Sequence, residues 1–190
     1  MNVQTKPEDA AQIVAELGRR AKAAAVALRN ASTTAKNKAL TDGARLIRAE
    51  KAAILAANAR DLSAAKAAGM SSALQDRLLL NEARIESMAK GLDDIAALPD
   101  PVGAEIERWQ RPNGLEISRV RVPIGIIGVI YEARPNVTAD AGALCIKSGN
   151  VVVLRGGSDS FHSSRCIVEL LRRALKDAGL PEDCVALMGW

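Results

Sequence analysis

Aromatic residues are nearly missing from this sequence, which has one tyrosine, one phenylalanine and two tryptophans in 190 residues. Surfaces that hold single-stranded nucleic acid stack bases on aromatic rings, so a chain this poor in rings argues against that class. Cysteine is scarce as well. Cys145, Cys166 and Cys184 are widely and irregularly spaced, an odd set that suits neither a disulfide framework nor a paired-thiolate metal site. The expectation is a reducing, cytoplasmic compartment and no metal. No uninterrupted apolar run approaches the roughly 20 residues of a membrane span, and the first residues lack a basic stretch followed by an apolar core. A soluble, unexported protein with no membrane partner follows. Charge of one sign is not concentrated either: 26 Lys and Arg against 22 Asp and Glu leave +4, spread along the chain, so polyanion steering and a nucleic-acid partner are not expected.

What is present is apolar bulk, 48% of the residues, enough to bury a core at 20.0 kDa. Through residue 103 the chain is built on alanine, leucine and charge at helical spacing. Ile13, Val14, Leu17, Ala21, Ala24, Ala25 and Leu28 form one stripe, with Pro7, Glu8 and Asp9 suited to its start. A second helix opens near Ser32 to Thr34 and carries Leu40, Ile47, Ile54 and Leu55. Asp61 and Ser72 are placed to cap shorter helices on either side of Gly69, and Asn81 to cap a last one holding Ile85, Met88, Leu92 and Ile95 before Pro99.

Composition changes at 99–103. Glu105 to Gln110, a turn at Pro112-Asn113-Gly114, and Leu115 to Val122 read as a hairpin spanning 104–122. Leu115 and Ile117 share one parity and Val120 and Val122 the other, so the second strand either holds a bulge or changes the surface it packs on. From 123 to 190 the pattern is strand, helix, strand, helix, strand. Ile124 to Tyr131 and Val151 to Leu154 are apolar without alternation, as strands buried on both faces are, and Val185 to Leu187 starts a third. The helices run Val137 to Lys147 and Ser160 to Ala178. The fold class is α/β: N-terminal helices, a hairpin, and the first half of a doubly wound parallel sheet. Because the third strand has no covering helix after it, the chain is expected to be the N-terminal part of a larger protein.

Ligands of such sheets sit beyond the carboxyl ends of the strands. The first loop there, Tyr131 to Thr138, brings Arg134 and Asn136 to a helix start whose free N–H groups favour an anion or a developing oxyanion. Asn136 could donate to a carbonyl oxygen and Arg134 hold an anionic group; equally, Asn136 or Thr138 could only cap the helix and Arg134 be a surface charge. The second loop holds Arg155, Gly156, Gly157 and Ser158. Its glycines permit close backbone approach and its guanidinium suits phosphate, as at the ribose-phosphate end of a nucleotide. Alternatively, the glycines simply turn the chain. Neither the dinucleotide fingerprint nor a phosphate-loop lysine is present. His162 reads as a helix-surface residue, and the three cysteines as small buried hydrophobes.

The stretch Arg121 to Ser160, RVPIGIIGVIYEARPNVTADAGALCIKSGNVVVLRGGSDS, closely resembles the gamma-glutamyl phosphate reductase family, also called glutamate-5-semialdehyde dehydrogenases, a branch of the aldehyde dehydrogenase superfamily. The strings IGVIYEARPNVT and LRGG carry the likeness. The preceding helices, NGLEISRVRVP and GLPEDCV extend it over nearly all of the chain. The resemblance implies a Rossmann-like half of an aldehyde dehydrogenase fold, and NADPH-dependent reduction of L-glutamate 5-phosphate to the semialdehyde with phosphate release, in proline biosynthesis. It implies a nucleophilic cysteine in a later segment of the family, in a context like CHxYVD, which none of the three cysteines matches, so this chain alone would be inactive. Arg155 stands where many relatives place a lysine that touches the adenosine ribose, with Ser158 following, as NADP contacts. Asn136 is the approximate counterpart of an oxyanion asparagine, although the loop reads EARPNVT rather than tryptophan-asparagine. Leu115 to Val122 resembles an arm that pairs with another subunit, which implies a homo-oligomer at full length. The reading that competes with a reductase is a non-catalytic nucleotide-binding or helical adaptor module.

Overall fold

The computed structural model describes residues 7 to 189, which leaves Trp190 outside the described residues. Five helices come first: α1 (Pro7–Arg29), α2 (Thr33–Ala49), α3 (Lys51–Ala67), α4 (Ser72–Leu78) and α5 (Glu82–Ala97). An antiparallel pair follows, β1 (Glu105–Gln110) and β2 (Glu116–Val120). Then come β3 (Ile126–Ile130), α6 (Asn136–Lys147), β4 (Val151–Arg155), α7 (Phe161–Asp177) and β5 (Val185–Leu187). The last three strands form a parallel sheet in the order β3-β4-β5.

Local chemistry sets several ends. Ser32 accepts from the Ala35 N–H to start α2, and Asn81 accepts from the Arg84 N–H to start α5. The expected second helix is in fact two, α2 and α3, broken at Glu50, so Ile54 and Leu55 lie on α3. Ser72 is the first residue of α4, which Ser71 precedes as cap position without a side-chain bond. Asp61 caps no helix of its own. It lies inside α3, and its carboxylate accepts from the backbone N–H groups of His162 and Ser163 and from the Ser163 hydroxyl at 3.0, 2.8 and 2.6 Å, capping α7 from 101 residues away.

The helical segment and the sheet share one core. Leu40, Ile47 and Leu92 from the helices and Val152, Leu154, Ile167 and Leu171 from the sheet region belong to a single buried cluster. Helices α2, α3 and α5 stack on α6 and α7, and α1 packs on β3 and β4. Only the second half of the α1 stripe is covered: Ala21, Ala24 and Leu28 are buried, while Ile13 and Val14 are exposed.

Two buried lysines stitch the layers. Lys36 pairs with Asp100, and Lys147 donates to Asn37 Oδ1 and to the Ala96 carbonyl. An unpaired buried ammonium would cost several kcal/mol, roughly, which these partners offset.

Two strand expectations change. The irregular register of the hairpin falls between Glu105 and Glu107, in the first strand rather than the second, and both strands are almost wholly exposed. β3 is not buried on both faces: Ile127 and Val129 face the core, whereas Ile126 is 36% and Ile130 77% exposed. An apolar run signals two-sided burial only where a second layer covers the strand, and among the described residues none lies over that face.

Candidate active site

The two strand-end loops meet. The Tyr131 N–H donates to the Arg155 carbonyl at 3.1 Å, which ties the first loop to the end of β4. The Tyr131 ring then lies over Gly156, and its hydroxyl is 2.6 Å from Thr138 Oγ1 at the start of α6. Neither Gly156 nor Gly157 has a positive φ. Glycine is needed at 156 because a β-carbon there would stand 3.2 Å from the Tyr131 ring, not because the chain must turn.

Beyond Tyr131 the loop alternates. Ala133 and Pro135 are buried, which leaves Arg134 presented outward between them. Neither Asn136 nor Thr138 caps α6. The cap position is Pro135, Asn136 is the first helical residue, and Thr138 is engaged with Tyr131. The helix start is also less open than its sequence suggests, because the Val137 and Thr138 N–H groups already donate to the carbonyls of Arg134 and Pro135. Asn136 Nδ2 donates to Asp140 Oδ2 at 3.2 Å, one turn further along. Burial pushes the Asp140 carboxyl above the ordinary aspartate value, and the Asn136 hydrogen bond opposes that shift.

Arg134, Asn136 and Asp140 line one cleft of about 320 Å³ together with Asp76, Arg77 and Arg84 from α4 and α5. Arg84 is committed within the protein, donating to the Leu79 carbonyl and to Asp76. These helix residues escaped sequence reasoning because nothing local marks them. Only Asp140 had a signal, standing four residues after Asn136 on the same helix face.

Arg155, Gly156, Gly157 and Ser158 lie elsewhere, at the end of β4, and do not line that cleft. Arg155 is half-buried and Ser158 exposed. At the adjoining start of α7 the His162 and Ser163 N–H groups already donate to the Asp61 carboxylate, so these two are not open to an anion.

His162 stacks edge-on against Phe161 at 5.4 Å and takes no place in the cleft. The cysteines are unsuited to nucleophilic attack. Burial pushes the Cys145 thiol up to about 11, burial and the Asp183 charge push Cys184 up to about 12, and Cys166 is also raised, chiefly by burial. Among the described residues no group of three or more His, Cys, Asp or Glu side chains is placed to hold a metal, and no helix is long and apolar enough to cross a membrane.

The sequence and fold of this chain have counterparts among known proteins. No family model matches it. It is 60% identical over 178 residues to a gamma-glutamyl phosphate reductase of Rhodospirillum rubrum, covering 94% of this chain and 42% of the relative. A gamma-glutamyl phosphate reductase of Thermotoga maritima superposes with a TM-score of 0.90 at 44% identity, over 92% of this chain and 42% of that one. The chain is homologous to the N-terminal part of gamma-glutamyl phosphate reductases. It spans about 42% of the length of these relatives. A probable aldehyde dehydrogenase of Listeria monocytogenes, 15% identical with a TM-score of 0.73, shares the fold, so the α/β architecture is part of an aldehyde dehydrogenase fold.

Proposed function

We propose that this chain forms the N-terminal part of a cytoplasmic gamma-glutamyl phosphate reductase, which reduces L-glutamate 5-phosphate to L-glutamate 5-semialdehyde with release of phosphate in proline biosynthesis. The observation that carries the reading is the 60% identity with the Rhodospirillum rubrum reductase across 94% of this chain. In this reading 123–190 is the incomplete half of a dinucleotide-binding unit, 1–103 its helical cover, and 104–122 an arm for a homo-oligomer. The fully exposed β1, which among the described residues is flanked by β2 alone, supports the last assignment.

NADPH would supply the hydride. Arg155 would hold its 2′-phosphate, and Gly156, Gly157 and Ser158 would line the ribose. Arg134 holds an anionic group of the substrate. Asn136, whose amide keeps a second N–H besides the one given to Asp140, donates to the substrate carbonyl oxygen as negative charge develops there. The nucleophile is a cysteine that this chain does not contribute, in keeping with three thiols held protonated at neutral pH.

The test is a chimera in which residues 1–190 replace the matching part of the Rhodospirillum rubrum enzyme. The chimera should form NADPH from L-glutamate 5-semialdehyde, phosphate and NADP, while the 190-residue chain alone should not. A well-folded, inactive chimera would favour a binding module instead.

A further inference from the structure

The cleft holds an unbalanced set of charges. Arg84 and Asp76 neutralise one another, and Arg84 is also braced on main-chain carbonyls. What remains is Arg77 and Arg134, which form no ion pair among the described residues, and Asp140, whose carboxylate is met only by the Asn136 amide. Two guanidiniums and one carboxylate complement a ligand with two anionic groups and one ammonium. At about 320 Å³ the cleft lies at the small-metabolite end of ligand sites.

The elements that carry these charges are fixed from below. Asn58, buried in α3, donates to the Leu78 carbonyl and accepts from the Leu80 N–H at 2.9 and 2.8 Å, pinning the segment directly after Arg77. Buried Ala133 and Pro135 flank Arg134, and Asp140 is held one helical turn from Asn136. Side chains on anchored backbone lose less freedom when they bind.

We propose that this cleft recognises the amino-acid character of the substrate. Arg77 and Arg134 take its two anionic groups, and Asp140 takes its α-ammonium. This rests on the reductase reading and deepens it, since L-glutamate 5-phosphate carries a carboxylate, a phosphate and an ammonium. Arg77 and Asp140 thereby become specificity-determining residues, the first supplied by the helical segment rather than by the sheet. Burial favours a cationic partner for Asp140, because a carboxylate away from water gains from a neighbouring positive charge.

The experiment uses the 190-residue chain and three probes, followed by NMR titration: L-glutamate, glutarate without the ammonium, and 4-aminobutanoate with one carboxylate fewer. L-glutamate should perturb amides of 76–88 and 134–140 and bind at least about tenfold more tightly than either analogue. D140N should erase its advantage over glutarate and leave glutarate unchanged. R77A should reduce it to the level of 4-aminobutanoate, and R77K should restore part of the loss, which a general loss of folding would not produce. Failure of L-glutamate to bind, or equal binding of all three probes to wild type, overturns the proposal; so does an R77A or D140N profile identical to wild type. An inactive chimera with these preferences intact would sink the reductase reading and leave the cleft, whereas an active chimera whose N-terminal chain shows none would sink the cleft alone.

Discussion

The ring of Tyr131 lies against the α-carbon of Gly156, close enough that a β-carbon there would meet its Cζ and hydroxyl oxygen at 3.2 Å. This contact couples the loops that follow β3 and β4. Because the hydroxyl is also held by Thr138, the ring has little room to withdraw. Gly156→Ala should therefore destabilise the chain by about 1–3 kcal/mol, the usual range for overpacking. Gly157→Ala, whose new β-carbon would find its nearest neighbour at 3.7 Å, should stay within about 0.5 kcal/mol of wild type. Urea midpoints of the two variants check this, and equal midpoints would count against the Tyr131 contact as the reason for glycine.

Cofactor preference should reside in Arg155. A 2′-phosphate beside a guanidinium gains charge-assisted hydrogen bonds of about 1.5–3 kcal/mol, roughly a 10- to 150-fold preference. In the chimera, Arg155→Ala should bring the NADPH to NADH ratio of kcat/KM close to one, with the chemical step otherwise preserved. An unchanged ratio would move the 2′-phosphate away from this loop.

Acid should loosen the contact between α1 and the turn before β5. Hydrogen bonds from Arg20, against the opposing effect of burial, hold the Asp183 carboxyl below the ordinary aspartate value of about 4. Arg172 adds to the effect by its charge. A carboxylate made more acidic by folding contributes stability that is fully present above its unfolded value and is lost as the pH falls through its folded value. Thermal melts between pH 7 and pH 3 should show that loss. Asp183→Asn should melt lower at pH 7 and depend less steeply on acid, and a slope identical to wild type would place the acid sensitivity elsewhere.

The thiols should be slow. With Cys145 at about 11 and Cys184 at about 12, almost no thiolate exists at neutral pH in the folded chain. Iodoacetamide should label neither until urea is added, and half-buried Cys166 should react first. Native labelling of Cys145 or Cys184 at the rate of a free thiol would contradict this. Replacing all three by serine, if the fold survives, should leave turnover of the chimera in place.

Much of this protein is determined within short reach along the chain. Ser32 and Asn81 cap their helices with oxygens three residues from the N–H they accept, and β4 is apolar because both its faces are covered, so local pattern suffices. The family likeness also lies in contiguous strings, which is why the loops that carry Arg134, Asn136 and Arg155 stand out in the sequence. What tertiary structure alone decided involves partners far apart in sequence. Asp61 caps a helix 101 residues away, Lys147 reaches Asn37, and Arg77 comes to Arg134 across one cleft. Charged side chains carry no periodicity that names a distant partner. Whether such a group is a surface charge, a cap or the wall of a site depends on which backbone packs opposite it, and that is settled only when the helices close over the sheet.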